Sequence, residues 1–374
     1  MRHLYDELQV LPEPGQDFHE QQRLGAITRP LLSWYDAHAR VLPWREDPSP
    51  YRVWISEIML QQTRVEAVKP YFERFVAALP DVASLARVED DRLMKLWEGL
   101  GYYSRARNLK KAAQMMVEQY HGELPASREE LLKLPGIGSY TAGAIASIAF
   151  GIAAPAVDGN VLRVITRVLA DDSDIANART KARIEQAVLP VIDKKRPGDY
   201  NQALIEIGAL VCVPNGEPKC AECPLASMCL CKERGLWREL PVKTRAKART
   251  VQKLTVGVIR CKDLVAIRRR PDHGLLAGLC ELPNFDGELS LQELAERFGI
   301  LPEEMEAVRP LPAAKHIFSH IEWKMAGYEI CLRETHKDEL LDGSFFVECS
   351  QMQERYPLPG AFSAYRTLLE RRSD

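Results

Sequence analysis

The spacing of apolar and polar residues along the chain changes character near residue 235. Before that point, apolar side chains recur at helical spacing, which predicts a long helix at 51–77. The same spacing predicts further helices at 90–98, 105–120, 128–134, 139–150, 160–169, 180–192 and 199–212. Beyond it, short alternating runs predict strands at 254–261, 264–268, 317–325 and 327–332, with one helix at 291–298. A multidomain chain is therefore expected, with an all-α domain followed by a smaller α+β domain.

A short basic stretch separates these two predicted domains. Residues 231–253 carry eight Lys or Arg and two Glu residues, a net charge of +6, whereas the whole chain has a net charge of −2. Because this stretch also has few apolar residues, it is typical of a solvated linker. We therefore predict an N-terminal extension at 1–22, a helical domain at 23–234, a basic linker at 235–253 and a second domain at 254–374.

The composition excludes several classes of protein. Hydrophobic residues make up 46% of the chain and charged residues 27%, which is typical of a globular protein, and the near-neutral charge excludes a polybasic one. The opening residues lack the apolar segment of a signal peptide. The longest uncharged stretch, 134–157, is rich in Ala and contains prolines and several glycines, which argues against a membrane span. A cytoplasmic protein with no membrane partner is expected.

Cysteine spacing indicates a metal site. Four of the nine cysteines, Cys212, Cys220, Cys223 and Cys229, give the pattern C-x7-C-x2-C-x5-C, and Cys231 lies just beyond. Such crowding in a chain without a secretory signal favours metal ligands over scattered core cysteines. Zinc and an iron–sulfur cluster both accept four thiolates, so the spacing leaves the metal open.

The sequence LPGIG at 134–138 predicts a tight turn between two helices. Ser127 and Glu130 form a potential capping box before it, and an apolar helix is predicted from Ser139. Gly136 and Gly138 permit a turn that leaves the backbone N–H groups of the second helix facing outward, where they can bind a phosphate. An ordinary helix–helix turn is the simpler alternative, but the LPGIGSYTA context predicts a helix-hairpin-helix at about 127–150.

Two carboxylates occupy unusual positions. Glu57 lies among apolar residues of a predicted helix, and Asp158 directly precedes another. Taken alone, Glu57 fits the polar edge of an amphipathic helix and Asp158 fits a helix N-cap. Local sequence by itself therefore does not make either residue catalytic.

Together these segments resemble the MutY-type adenine DNA glycosylases, in the helix-hairpin-helix superfamily with endonuclease III. The resemblance covers residues 25–230 and resumes near the C-terminus. Its motifs are LPWR (42–45), SEIMLQQT (56–63), GLGYYSRARNL (99–109), LPGIGSYTA (134–142), VDGNVLRV (157–164), ALIEIGALVC (203–212), the cysteine cluster and FSH (318–320).

The resemblance implies a reaction on an adenine that has been flipped out of duplex DNA. Glu57 matches the general acid that protonates the adenine ring and then activates water. Asp158 matches the carboxylate that stabilises the oxocarbenium-like sugar, with a transient covalent adduct as one route. For both roles, Glu57 needs a raised pKa while Asp158 stays ionised. Tyr140 stands where the strand-cutting relatives have a nucleophilic lysine, so base removal without lyase activity is expected.

The same resemblance assigns roles to further residues. It places Leu42, Trp44, Arg45, Gln62 and Gln202 in the adenine pocket, although core packing is an alternative for Leu42 and Trp44. It implies that Tyr102 wedges into the DNA stack, that Gly136, Gly138 and Asn160 contact DNA, and that Cys212, Cys220, Cys223 and Cys229 hold a 4Fe-4S cluster. One extra residue between Cys212 and Cys220, relative to the family spacing, leaves Cys231 as an alternative to Cys229.

The second predicted domain resembles the Nudix-like (MutT-like) domain of this family. An active Nudix box aligns on Gly278 and on 299–300. In that alignment Asn284 replaces the first Glu of the box, Gln292 replaces its Arg, and Arg297 replaces one of its paired Glu residues. Loss of these carboxylates disfavours metal-dependent pyrophosphate hydrolysis and favours a binding module. The resemblance implies that Phe318, Ser319 and His320 recognise 8-oxoguanine. An ordinary strand is the alternative for these three residues.

The sequence therefore predicts a monofunctional adenine DNA glycosylase, with duplex DNA carrying A:8-oxoguanine or A:G as its partner. A monomer located in the bacterial cytoplasm at the nucleoid is expected. The rival enzyme is a glycosylase/lyase of the endonuclease III type, which Tyr140 disfavours. The rival from another class is a non-catalytic lesion binder, which the presence of both Glu57 and Asp158 disfavours.

Overall fold

The computed structural model describes residues 16–244, 248–334 and 339–369, which form two compact units. The first unit contains the described residues within 1–76, 81–86 and 111–245, and the second those within 77–80, 87–110 and 246–374. The predicted N-terminal extension lies outside the described residues up to residue 15, and its last part already belongs to helix α1, which begins at Gln16.

The helices of the described residues follow one another closely along the chain. They are α1 (Gln16–His38), α2 (Pro43–Glu46), α3 (Pro50–Leu60), α4 (Val65–Ala78), α5 (Val82–Arg87), α6 (Asp90–Trp97), α7 (Ser104–Gln119), α8 (Arg128–Leu131), α9 (Ser139–Phe150), α10 (Gly159–Leu169), α11 (Ala178–Val188), α12 (Pro197–Leu210), α13 (Leu230–Arg234), α14 (Leu291–Phe298), α15 (Cys349–Arg355) and α16 (Arg366–Leu369). Short 3₁₀ helices lie at Leu189–Val191, Pro302–Glu304 and Gly360–Tyr365. None of these helices is both long and apolar enough to cross a membrane.

One helix predicted from the sequence is two helices in the structure. The predicted segment 51–77 divides into α3 and α4, because the chain turns at 61–64. Gln62 adopts a φ of 59°, in the left-handed region that breaks a helix. The Gln61 side chain donates to Thr141 Oγ1 at 3.2 Å and fixes the end of α3. A break in the helix was not expected at Gln62 because glutamine favours helix interiors.

The core of the first unit forms where α1, α10, α11 and α12 pack together. Their apolar faces contribute fully buried residues that include Leu24, Ile27, Ile165, Ile184 and Leu204. Such a core between helices supplies the main hydrophobic stabilisation of the unit. It also holds the start of α10 and the middle of α12 in fixed positions.

Helix α9 approaches the segment before α10 unusually closely. A Cβ atom built on Gly143 would lie 1.9 Å from the Pro155 carbonyl oxygen, so only glycine fits there. The buried Asn201 side chain spans the same segment, since it donates to the Ala154 carbonyl and accepts from the Ala156 N–H, at 2.8 and 3.1 Å. These contacts fix the path of the chain into Asp158.

The second unit is built on an eight-stranded sheet. Its strands are β1 (Thr250–Cys261), β2 (Leu264–Arg269), β3 (Cys280–Glu281), β4 (Asn284–Asp286), β5 (Met305–Pro310), β6 (Ala314–Ile317), β7 (Ile321–Leu332) and β8 (Phe345–Glu348). The main path is β3-β2-β1-β7-β5, in which β4 pairs with β1, β6 with β7 and β8 with β2. Among the strand pairs of the described residues, β1–β7 is the one parallel pair. Apolar residues cover both faces of β1, so the sheet is the centre of two cores.

Two strand predictions in this unit need correction. The predicted strand at 317–325 is interrupted by a three-residue turn, Phe318 to His320, between β6 and β7. The predicted strand at 327–332 is the continuation of β7. The turn contains no Gly, Pro, Asn or Asp, and Ser319, a weaker turn former, is its one residue that favours a turn. The helix predicted at 291–298 agrees with α14.

The boundary between the predicted domains also differs from expectation. Residues 87–110 group with the second unit, where Arg107 donates to the Ala277 carbonyl at 2.7 Å. The predicted linker at 235–253 is shorter, because Leu240 is only 4% exposed and Arg167 donates to its carbonyl at 2.9 Å. At the other end, β1 already begins at Thr250. Residues 245–247 of the predicted linker lie outside the described residues.

The contact at Gly143 yields a stability prediction. Gly143→Ala is expected to lower the free energy of unfolding by at least about 2 kcal/mol, because the added methyl group meets the Pro155 backbone. Gly25→Ala, in α1, is the control. The nearest atom that its Cβ would meet is Val191 Cγ1 at 3.9 Å, which is an ordinary van der Waals distance. Gly25→Ala should be neutral or stabilising by up to about 1 kcal/mol. Urea unfolding followed by circular dichroism measures both, and an equally harmless Gly143→Ala contradicts the prediction.

Candidate active site and cysteine pocket

Six helices of the first unit, α1, α2, α3, α4, α9 and α12, contribute residues to the lining of a pocket of ≈ 400 Å³. Leu42 precedes α2, which carries Trp44 and Arg45, while α3 carries Glu57, α9 carries Tyr140 and α12 carries Gln202. All six of these predicted site residues line the pocket. About half of the lining residues are polar or charged and the others are apolar, so the pocket offers both packing surface and hydrogen-bonding groups to a small ring system.

Glu57 lies in the middle of α3, among buried residues. The residue is 7% exposed, and its Oε2 has no hydrogen-bond partner among the described residues. Burial raises the pKa of Glu57 to about 7, a Tyr140 hydrogen bond opposes the shift, and the charge of Asp158 adds to it. The exposed edge of an amphipathic helix is therefore excluded as the environment of Glu57. A carboxyl group with this pKa can donate a proton near neutral pH.

Asp158 is the N-cap of α10. Its Oδ1 accepts from the backbone N–H groups of Asn160 and Val161, each at 2.8 Å, and its Oδ2 accepts from the Asn160 side chain at 2.7 Å. Burial raises the pKa of Asp158, and these hydrogen bonds oppose the shift because they favour the ionised form. Asp158 is therefore the helix N-cap that its local sequence suggested. It also lies close enough to Glu57 for its charge to raise the pKa of Glu57.

Asn160 has a different environment from the DNA contact that we expected. Its side chain donates to Asp158 and accepts from Arg163 at 2.8 Å. Arg163 also donates to the Cys212 carbonyl at 2.7 Å, because α10 and the end of α12 lie side by side. Both polar ends of the Asn160 amide are engaged within the protein, so the structure gives Asn160 a connecting role.

The charged residue most closely linked to the pocket was missed from the sequence. Glu206, on α12, is fully buried and accepts from Arg40 Nε at 2.6 Å and from Arg45 NH2 at 3.1 Å. Burial raises the pKa of Glu206, but its hydrogen bonds and ion pairs with the two arginines outweigh burial and lower the pKa below its usual value. Its position four residues after Gln202 could have suggested a shared helix face.

Gln62 does not line the pocket among the described residues. It is exposed beyond the end of α3, and its positive φ directs the chain away from the helix axis. Its predicted place in the adenine pocket is therefore wrong. A residue next to a helix end is easily misplaced by a motif, because a single backbone torsion changes the direction of its side chain.

The turn before α9 has the backbone expected for an anion site. Gly136 adopts a φ of 81°, in the left-handed region that favours glycine. Gly138 is the N-cap of α9 and supplies no side-chain cap, so its helix dipole and first N–H groups can face a phosphate. Arg128 donates to Ser139 Oγ at 3.1 Å and holds the two helices of the hairpin together.

In the second unit, the turn between β6 and β7 contains the three residues expected to read the damaged base. Ser319 and His320 are exposed, whereas Phe318 packs edge-on against Trp323 at 4.9 Å. Tyr102, which is 48% exposed with a φ of 48°, belongs to the same unit, and its hydroxyl lies 3.1 Å from Ser319 Oγ. The two residues assigned separately by the resemblance therefore lie together.

The four predicted metal-binding cysteines surround one pocket of ≈ 190 Å³ after α12. Cys212, Cys220, Cys223 and Cys229 all line this pocket, and so does Cys231. Arg167 donates to Cys212 Sγ at 3.2 Å. Among the described residues, no three Cys, His, Asp or Glu side chains are grouped tightly enough for a single metal ion. A cavity ringed by thiols at this size fits a group with several metal atoms.

Comparisons with known proteins match both units. The model of the HhH-GPD superfamily base excision DNA repair proteins matches residues 55–190, and a NUDIX domain model matches residues 255–368. A thermostable thymine-DNA glycosylase is 27% identical over 57% of this chain and 98% of its own, with a TM-score of 0.51. An endonuclease III trapped on DNA is 26% identical over 58% of this chain and 98% of its own, with a TM-score of 0.50. The predicted multidomain fold is thereby confirmed.

Curated relatives extend over most of the chain. The adenine DNA glycosylase of Mus musculus is 34% identical and covers 87% of this chain and 74% of its own length. That of Homo sapiens is 35% identical over 84% of this chain and 68% of its own. That of Buchnera aphidicola (Schizaphis graminum) is 35% identical and covers 78% of this chain and 83% of its own length. The chain belongs to the adenine DNA glycosylase family and is an enzyme that excises adenine in the base excision repair of DNA.

Proposed function

We propose that this enzyme hydrolyses the N-glycosidic bond of adenine mispaired with 8-oxoguanine or guanine, without cutting the strand. The observation that carries the proposal is Glu57, a buried carboxyl with a pKa near neutrality at the wall of a pocket that is large enough to admit a purine base. Adenine is a poor leaving group unless its ring is protonated, so the reaction needs an acid in this position. The duplex must release the base into the pocket before the acid can act.

In the proposed reaction the two carboxyl groups take different roles. Glu57 protonates a ring nitrogen of adenine, the bond from C1′ to N9 breaks, and neutral adenine leaves with the electron pair. Asp158 in its ionised form stabilises the positive sugar that remains, because its backbone hydrogen bonds favour the charge. Glu57, now a carboxylate, accepts a proton from the water that adds to C1′. The products are free adenine and an abasic site.

Tyr140 supports base removal without strand cleavage. A lyase needs an amine that forms a Schiff base with the sugar, and a phenol cannot form one. Burial and the neighbouring carboxyl groups hold the pKa of Tyr140 well above its usual value, so its hydroxyl stays protonated and donates to Glu57. Tyr140 therefore orients the acid in this proposal.

Recognition of the opposite base is assigned to the second unit. Ser319 offers a hydroxyl and His320 an exposed ring on a turn, which suits hydrogen bonding to an oxidised purine edge. The neighbouring Tyr102 supplies an exposed aromatic ring for stacking between bases. In the first unit, the backbone at Gly136 and Gly138 is proposed to anchor a DNA phosphate.

We further propose that Cys212, Cys220, Cys223 and Cys229 hold a 4Fe-4S cluster in their pocket. Such a group would tie the loop after α12 to the start of α13, and the surrounding chain would present basic residues to DNA. Arg167 lies against Cys212 and supplies a positive charge beside the thiolates. Cys231 is the alternative fourth ligand.

Single-turnover adenine release from duplexes with A opposite 8-oxoguanine, G or T tests the proposed reaction. We expect release to be fastest opposite 8-oxoguanine and slowest opposite T, with strand breaks visible only after alkali. Glu57→Gln and Asp158→Asn should each slow release by about 10³-fold or more while binding the mismatch. Glu118→Gln, at an exposed position of α7, is the matched control and should keep full activity. Breaks without alkali, or an active Glu57→Gln, contradict the proposal.

The raised pKa of Glu57 also predicts how stability depends on pH. Its pKa is about 7 in the folded chain against the usual 4.5, so this group stabilises the fold below the lower value and loses that stabilisation as pH rises through the higher one. Glu57→Gln cannot ionise. Its stability relative to the parent chain should therefore rise by roughly 2 to 3 kcal/mol between about pH 5 and about pH 8. Urea unfolding measures this change, and the same pH dependence in both chains contradicts the assignment.

The cysteine pocket predicts the metal content of the purified chain. We expect stoichiometric iron and sulfide with the visible absorption of an iron–sulfur protein. Cys223→Ser should lose both, whereas Cys231→Ser should keep them, because Cys229 is the proposed ligand. A colourless protein with zinc contradicts the cluster. Loss of iron in Cys231→Ser with retention in Cys229→Ser reverses the choice of ligand.

A further inference from the structure

Glu206 is the most deeply buried charge beside the adenine pocket, and the proposed reaction does not use it. Its carboxylate is closed off from solvent and accepts four hydrogen bonds. Arg40 supplies three of them, from its backbone N at 3.2 Å, Nε at 2.6 Å and NH2 at 2.9 Å, and Arg45 NH2 supplies the fourth at 3.1 Å. A buried ion pair is weak evidence for a contribution to stability, so its function lies in what it holds in place.

Glu206 holds the guanidinium of Arg45 in one orientation. Besides NH2 on Glu206, Arg45 NH1 donates to the Arg40 carbonyl at 3.0 Å, and Nε donates to Gln202 Oε1 at 2.8 Å. The Tyr35 ring lies against the same group, 5.5 Å from its central carbon. All three nitrogen atoms of the planar Arg45 guanidinium thus donate hydrogen bonds. Rotation of the group would break these hydrogen bonds together.

This fixed arginine determines which end of the Gln202 amide faces the pocket. A guanidinium only donates, so the amide must turn its oxygen toward Arg45 Nε. That assignment follows from chemistry and does not depend on distinguishing nitrogen from oxygen. The NH2 group of Gln202 is left as the donor, and Gln202 lines the pocket with Glu57.

We propose that Glu206 is a positioning residue for base specificity, which acts through Arg45 to hold the Gln202 NH2 toward the bound base. The inference rests on the proposed function. The proposal places the Gln202 amide at the edge of the base that carries N1, while Glu57 acts at the end nearer the sugar. Adenine carries an acceptor there, N1, whereas hypoxanthine and guanine carry an N1–H donor. Two donors facing each other in a closed pocket disfavour these bases.

The test compares single-turnover release of adenine and of hypoxanthine, each opposite 8-oxoguanine. In the parent chain adenine should leave faster, and Glu206→Gln should reduce the ratio of the two rates about tenfold or more. An amide at 206 places an NH2 group against two arginines, which frees Arg45 and lets the Gln202 amide turn over. A purely structural role would lower both rates together and leave their ratio unchanged.

A double-mutant cycle identifies the route of the effect. Gln202→Met removes the amide and should reduce the ratio by itself. Glu206→Gln added to Gln202→Met should then change the ratio no further, because the two residues act in one chain of contacts. Independent, multiplicative effects overturn the inference.

Two further variants keep the test decisive if Glu206→Gln fails to fold. Arg45→Lys keeps a charge for Glu206 but loses the rigid planar group that joins Glu206 to Gln202, so it should reduce the ratio as well. Asp171→Asn, which loses an ion pair to Arg183 elsewhere in the first unit, is the matched control. It should lower thermal stability without changing the ratio.

The outcomes separate this inference from the proposed function. A parent chain that releases no adenine opposite 8-oxoguanine refutes the proposed function. A parent chain that releases adenine but does not prefer it over hypoxanthine refutes only the inference. The same holds if the preference is present and neither Glu206→Gln nor Arg45→Lys changes it.

Discussion

The close approach of α9 to the chain at Pro155 is the constraint on which the candidate active site depends. Gly143 permits this approach because no side chain separates the helix from the Pro155 carbonyl. The first turn of α9 carries Tyr140, and the chain after Pro155 leads directly into Asp158. One helix therefore holds Tyr140 and the glycine turn before it in a fixed relation to Asp158, although Asp158 comes from a separate motif.

Within that frame the two carboxyl groups differ through their partners more than through their burial. Both have raised pKa values because both are buried. Asp158 caps a helix and accepts three hydrogen bonds, so its ionised form has compensation. Within the part of the chain that the structure describes, one Glu57 oxygen has no hydrogen-bond partner, and the residue lies next to that negative charge, so its protonated form is favoured. The N-cap position of Asp158, which local sequence suggests is purely structural, thus favours the ionised form of this residue, whereas the environment of Glu57 favours the protonated form.

The sequence predicted most of this architecture because helix periodicity and motif spacing are local signals. The helices at 139–150, 160–169 and 291–298 agree with the structure to within a residue or two. The failures share one origin, which is a change of chain direction without a strong sequence signal. Gln62 turns the chain with a positive φ, and the turn at Phe318 contains only Ser319 among the residues that favour turns. Periodicity continues through both, so one helix and one strand were predicted too long.

Glu206 shows a different limit of sequence reasoning. Its place on α12 suggests only a polar residue on a helix, and its importance depends on Arg40 and Arg45, which are distant in sequence. A buried carboxylate among arginines costs desolvation that their hydrogen bonds must offset, and such an arrangement is rigid because each contact fixes the next. Rigidity of this kind suits specificity, since a pocket that distinguishes N1 from N1–H must prevent its own amide from turning over. In this proposal, the base selectivity of the pocket depends on Glu206, a carboxylate that acts through its hydrogen bonds with Arg40 and Arg45.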